Sequence, residues 1–337
     1  MDVIDADGHI VEKEADIRAY LPEPHCKRSG SLLPSDGQDS LMGGRLGGLE
    51  DNDLPTRLHD MDIEGIRISV LFPTTSFRVS QTTERDYALC YCRAYNDFIS
   101  NICKSNPRLK AIGLVPFQNV IYDASTVVDE LKRAIVDLGL VGIAVSCQGL
   151  KEHLGSQIYW PIYAELERLA VPLCVHNRHA PPGENIFDSL LFKHAVGRPV
   201  MTAIQFAGLM YGGVPEKFPK LHVAFLECGV GWLPYWVERL DEEYEKRAPE
   251  APLLRGKPSE YLKNGNWFCS TEPDERALPY VIEHFGADMI LFASDYPHWD
   301  GLFPNAVSTI LKRTDISENA KQKILTDNAK KFYGWKS

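Results

Sequence analysis

The sequence predicts an α/β fold, a distorted (β/α)8 barrel with a long insertion after its first strand. Three observations predict it: eight short apolar runs, stretches of helical periodicity between them, and no glycine-rich phosphate-binding pattern after any run. Strands alternating with helices imply a parallel sheet, because parallel neighbours need a crossover that is usually helical. A doubly wound open sheet shares that alternation, but it calls on the glycine pattern that is missing here.

The apolar runs fall at 3–4, 66–72, 109–117, 141–145, 171–175, 221–226, 267–269 and 289–293, each short enough for a strand buried on both faces. Helical periodicity marks 124–138, 160–170, 233–246 and 275–285. Residues 12–54 hold Gly37, Gly43, Gly44, Gly47 and Gly48 with few periodic apolar residues, and read as an insertion forming a lid over the barrel mouth. A last helix is expected over 317–331, with Ser317 as its N-cap, closing the outer ring. At roughly 150 residues per domain the length of 337 suggests two domains. One barrel with an insertion reaches the same length, and the element order assigns 1–337 to a single domain.

An apolar content of 44% with 24% charged residues fits a soluble globular protein with a large core, and excludes disorder, collagen and coiled coil. Lys and Arg number 36 against 46 Asp and Glu, a net charge of −10 that argues against a nucleic-acid partner. No apolar run approaches the roughly 18 residues of a membrane span. The opening Met1-Asp2-Val3-Ile4-Asp5 lacks the basic-then-apolar pattern of a secretory leader, so the expected location is cytoplasmic, with no membrane partner. The eight cysteines form no CxxC pair, which excludes a zinc knuckle and a redox dithiol.

Catalytic groups of such barrels come from the C-terminal ends of several strands. The first ends in Asp5-Ala6-Asp7-Gly8-His9, where period-two alternation would point Asp5, Asp7 and His9 to one side. The fifth ends in His176, the sixth in Glu227, and the eighth in Asp295 within Ser294-Asp295-Tyr296-Pro297-His298. Asp7, His9, His176 and Asp295 are the expected ligands of one divalent ion. Two imidazoles favour zinc, and the carboxylates also admit manganese or iron. Such an ion lowers the pKa of a coordinated water toward about 7. An aspartate at a strand end is more often a cap or turn residue than a ligand, and for Asp5 both readings stand.

Several phrases carry a resemblance: the opening Asp-Ala-Asp-Gly-His, Gly229-Val230-Gly231-Trp232-Leu233-Pro234 with Arg239-Leu240-Asp241, the run from Ala293 to Asp300, and Asp327-Asn328-Ala329 near Tyr333-Gly334. Together they resemble the amidohydrolase-related family, in the branch of aminocarboxymuconate-semialdehyde and resorcylate-type decarboxylases. The resemblance implies a distorted barrel with one catalytic metal, loss of carboxylate from small aromatic or enolic acids without an organic cofactor, and a homodimer. The family's first-strand pair falls on Asp7 and His9, its fifth-strand histidine on His176 and its eighth-strand aspartate on Asp295. One position departs: where those decarboxylases carry His-x-Gly on strand six, this chain has Glu227-Cys228-Gly229.

Glu227, Asp295 and His176 are therefore the catalytic candidates. Glu227 would take over acid/base work or metal ligation, or else orient His176. Arg178, His179 and His298 are candidates for binding substrate, Arg178 through its planar fork. Glu12 is expected to support the strand-one loop. The leading function is a metal-dependent decarboxylase of a small aromatic or unsaturated acid. The alternative is a metal-dependent hydrolase of an amide, lactone or related bond, and a third reading is a barrel that binds without turnover.

Overall fold

The computed structural model describes residues 1–34, 53–147, 149–176 and 190–335. Most of the expected insertion, and the expected site residues Arg178 and His179, lie outside the described residues. Strands β1 (Val3–Ile10), β2 (Ile66–Pro73) and β3 (Leu109–Ala111) form one parallel set. Strands β4 (Gly113–Leu114), β5 (Ile143–Ser146), β6 (Leu173–His176), β7 (Val223–Leu226), β8 (Trp267–Thr271) and β9 (Ile290–Phe292) form a second, also parallel.

The two sets are arcs of one distorted barrel. β3 and β4 are halves of the single strand expected over 109–117, broken at Ile112 because the chain changes partner there. Ile112 N–H still donates back to Leu71 O (3.1 Å), whereas Gly113 N–H donates forward to Gly142 O (2.9 Å). At the other end, the backbone just beyond β9 meets β1: Asp295 N–H donates to Asp7 O at 3.1 Å and His9 N–H to Tyr296 O at 2.7 Å. Those bonds bring the first and last strands together at the barrel mouth.

Crossover helices cover the outside, so most strand residues are buried on both faces, including all eight of β1. Asp123 starts the helix Ala124–Lys132 by accepting from the backbone of Ser125 and Thr126, and a π turn, Arg133–Asp137, carries the periodic stretch to its end. Trp160–Leu169 stops where Ala170 turns left-handed (φ 53°). Leu233–Arg247 occupies its expected place. The helix expected from residue 275 begins later, at Leu278. Glu275 is spent instead on the loop after β7, accepting from Val230 N–H (3.0 Å) and Gly231 N–H (2.6 Å). Ser317 caps Glu318–Gln322 through Ala320 N–H at 3.1 Å, and the chain continues helically to Phe332. No described helix is long and apolar enough to cross a membrane.

Candidate metal and active site

The first strand sorts its acids by a bulge. Asp5 pairs with Ser69 and Gly8 with Leu71, so three steps along β1 oppose two along β2. Simple alternation therefore fails, and Asp5 does not share a side with Asp7 and His9. Its buried carboxylate accepts from Ser69 Oγ (2.9 Å), Ser294 N–H (2.9 Å) and Ser294 Oγ (2.8 Å), tying β1 to the end of β9. Gly8 is required by this packing, since a Cβ there would lie 2.5 Å from Asp5 Oδ2 and 2.6 Å from Ser69 Oγ.

Asp7 and His9 meet His176, Glu227 and Asp295 at the barrel mouth. His9 Nε2 lies 3.6 Å from Asp7 Oδ1, 3.0 Å from Glu227 Oε1, 3.4 Å from Asp295 Oδ1 and 3.3 Å from His176 Nε2. His176 Nε2 is in turn 3.7 Å from Asp7 Oδ1 and 3.5 Å from Glu227 Oε1. Phe77 stacks on the His176 ring at 4.4 Å and fixes its plane. Glu227 and Asp295 reach the mouth through left-handed backbone, φ 56° and 52°, a conformation costing a non-glycine residue about 1–3 kcal/mol. Their sharp turns at the ends of β7 and β9 keep both carboxylates beside the imidazoles.

This donor set fits a cation. Both Asp7 oxygens are buried with no hydrogen-bond partner among the described residues, a costly arrangement for a carboxylate unless something positive faces it. His9 Nδ1–H donates to Pro73 O at 3.1 Å, which leaves the Nε2 lone pair facing carboxylate oxygens. A cation between these acceptors resolves the conflict, and the fixed Nδ1–H is the usual outer support of a ligating histidine.

The electrostatics agree. Burial, followed by repulsion from Glu227 and Asp295, holds the Asp7 carboxyl well above the ordinary carboxylate range. Asp295 is likewise pushed well up by burial and by Glu227. Burial and the neighbouring His298 press His9 down to about 3, so its ring is neutral and able to ligate. Glu227 moves the other way: burial would raise it, but His176, Arg198 and His9 together hold it well below the usual range. Burial lifts the neighbouring Cys228 thiol to about 12, which makes it a poor nucleophile.

His298 turns its two nitrogens to protein partners. Nδ1 shares a proton with Asp295 Oδ1 at 2.6 Å, and Nε2 meets Thr74 Oγ1 at 3.1 Å. Glu12 supports the next loop, accepting from Thr74 N–H (3.1 Å) and Thr75 N–H (2.8 Å). Arg57, buried against the Tyr296 ring, donates to the His9 carbonyl.

Arg198 was not singled out in the sequence. Its Nη1 lies 3.4 Å from Glu227 Oε2, and just before it His194 Nε2 meets Asp300 Oδ2 at 3.1 Å. The available signal is positional: the chain after β6 is helical from Leu190 through a π turn at Lys193–Gly197 to Tyr211, and a helix following a barrel strand begins at the catalytic face.

A family model described as amidohydrolase matches residues 4–335. The chain belongs to the amidohydrolase family. This amidohydrolase is 30% identical over 323 residues to a gamma-resorcylate decarboxylase of Rhizobium sp. (strain MTP-10005), covering 90% of this chain and 93% of that one. It is 26% identical to the 2-amino-3-carboxymuconate-6-semialdehyde decarboxylase of Dictyostelium discoideum, over 84% of this chain and 77% of that protein. Among solved structures it resembles 5-carboxyvanillate decarboxylase of Novosphingobium aromaticivorans, complexed with manganese and 4-hydroxy-3-methoxy-5-nitrobenzoic acid. The TM-score is 0.75 at 23% identity, over 98% of this chain and 96% of that one.

Proposed function

We propose that this amidohydrolase removes carbon dioxide from a small aromatic or unsaturated carboxylic acid, with one divalent ion held by Asp7, His9, His176 and Asp295. The observation that carries the reading is the buried Asp7 carboxylate, without a hydrogen-bond partner among the described residues, facing two imidazoles at the barrel mouth. Its decarboxylase relatives supply the reaction class. When bound, the ion supplies positive charge that holds a carboxylate and stabilises charge developing on the substrate. Zinc suits the two imidazoles, and the oxygen-rich remainder of the set, to which Glu227 adds, suits manganese, the ion of the solved relative.

Decarboxylation replaces a carbon–carboxylate bond with a carbon–hydrogen bond, so a proton must reach that carbon. Asp295 is the group we assign to pass that proton on, because its Oδ1 lies 2.6 Å from His298 Nδ1, a partner from which it can take one. Glu227, held ionised, is a poor acid, and its part is to fix the charge and orientation of His9 and His176. His176 serves as ligand and as the wall against Phe77.

Incubating the manganese-loaded protein with hydroxybenzoates and trapping released gas tests the reading. Carbon dioxide matched by the decarboxylated product is expected; hydrolysis of amides or lactones without gas would replace it with the hydrolase reading. From the family resemblance we carry over a single catalytic unit spanning 1–337, working as a cytoplasmic homodimer, which sedimentation velocity and cell fractionation test.

A further inference from the structure

The position that departs from the family pattern has a partner on another element. Glu227 divides its two oxygens: Oε1 faces the imidazoles of His9 and His176 at 3.0 and 3.5 Å, and Oε2 faces Arg198 Nη1 at 3.4 Å. Both side chains are largely withdrawn from water, at 6% and 14% exposure. The guanidinium also acts on Asp295, His298 and Asp300, so its charge reaches across the mouth. It projects from within the helical run that extends from Leu190 to Tyr211.

Asp7, Glu227 and Asp295 bring three carboxylates together around His9, and Asp300 stands at the rim paired with His194. A divalent ion offsets two of the three charges. Of the charges among the described residues, an anionic substrate would then meet one negative charge in excess in a low-dielectric cleft, where repulsion is far stronger than in water. A histidine at 227 would create no such surplus.

We infer that Arg198 is a specificity-determining residue of this amidohydrolase: it neutralises Glu227 and so allows a carboxylate substrate into the mouth. Arg198 and Glu227 act as one unit. The inference rests on the decarboxylase reading, which requires an anionic substrate.

The test compares benzoate with benzamide, its neutral counterpart of the same shape, as ligands of the manganese-loaded protein, by titration calorimetry and alongside manganese content. R198M should weaken benzoate about tenfold to a hundredfold, the effect of one unit charge about 6–12 Å away at an effective dielectric near 20. Benzamide binding and manganese content should stay within about twofold of wild type, and R198K should keep most of the benzoate affinity. The double variant R198M/E227Q should recover benzoate binding, because both charges are gone. Unchanged benzoate affinity in R198M, equal loss of benzamide, a double variant no better than R198M, or no benzoate binding by wild type would each overturn the inference. Failure of the decarboxylase reading shows separately, as absent gas release from wild type, since the ligand contrast needs no turnover.

Discussion

Replacing Asp5 by alanine should destabilise the fold by about 2–4 kcal/mol while leaving metal content intact. Asp5 accepts from Ser69 Oγ, Ser294 Oγ and Ser294 N–H at 2.8–2.9 Å, all buried. Removing the acceptor strands these donors, at roughly 1–3 kcal/mol each when no water replaces it. Two effects bring the total below that sum. The hydroxyls can rotate toward other acceptors, and losing a carboxylate whose burial raises its pKa returns part of its desolvation cost. At about 2.1 cal/mol/K per residue, a chain of 337 residues has an unfolding entropy near 0.7 kcal/mol/K, so the melting temperature should drop by about 3–6 °C. Scanning calorimetry on manganese-loaded protein reads the shift, and elemental analysis reads the ion. An unchanged melting temperature accompanied by loss of the ion would refute the reasoning, because it would place Asp5 in the donor set and not in the clamp between β1 and β9.

Three further outcomes are expected. D7N and H176A should each lose the ion and the activity together, read by elemental analysis and gas release, and retention of both would remove those residues from the ligand set. Ion binding should release protons, because Asp7 and Asp295 hold theirs above the ordinary carboxylate range, so apparent affinity climbs with pH; titration calorimetry giving the same heat in buffers of different ionisation enthalpy would contradict this. In the ion-free chain His9 stays neutral down to about 3 against an ordinary 6.5, so the folded state binds fewer protons than the unfolded. Its contribution is full above 6.5 and is lost as pH falls toward 3, by at most about 5 kcal/mol, and urea titrations of H9N should show a correspondingly flatter acid limb.

The barrel was legible because buried parallel strands announce themselves as short apolar runs: that at 66–72 recurs almost residue for residue in β2, and those at 171–175 and 221–226 hold β6 and β7, which each start two residues later. The break at Ile112 was not, because a change of pairing partner leaves no mark on hydrophobicity. At the site, Asp7, His9, His176, Glu227 and Asp295 could be picked out as ligand types at strand ends, and the structure gathers them about His9 in two overlapping groups, Asp7 with His9 and His176, and His9 with Glu227, Asp295 and His298. Asp5 was grouped with them by strict alternation, which the bulge before Gly8 breaks. His298 followed Asp295 in sequence as a candidate for substrate, yet Asp295 and Thr74 engage both its nitrogens. Arg198 was hidden for a different reason: the charge balance it completes exists only once strands β6 and β7 and the helix after β6 are assembled around the mouth.

Anomalous diffraction from crystals of the manganese-loaded protein, collected above and below the manganese edge, tests the central claim most directly. One peak within coordinating distance of Asp7, His9 and His176, with Asp295 at its side, is the predicted result. A peak elsewhere, or density that leaves the Asp7 carboxylate facing nothing but protein, would contradict it.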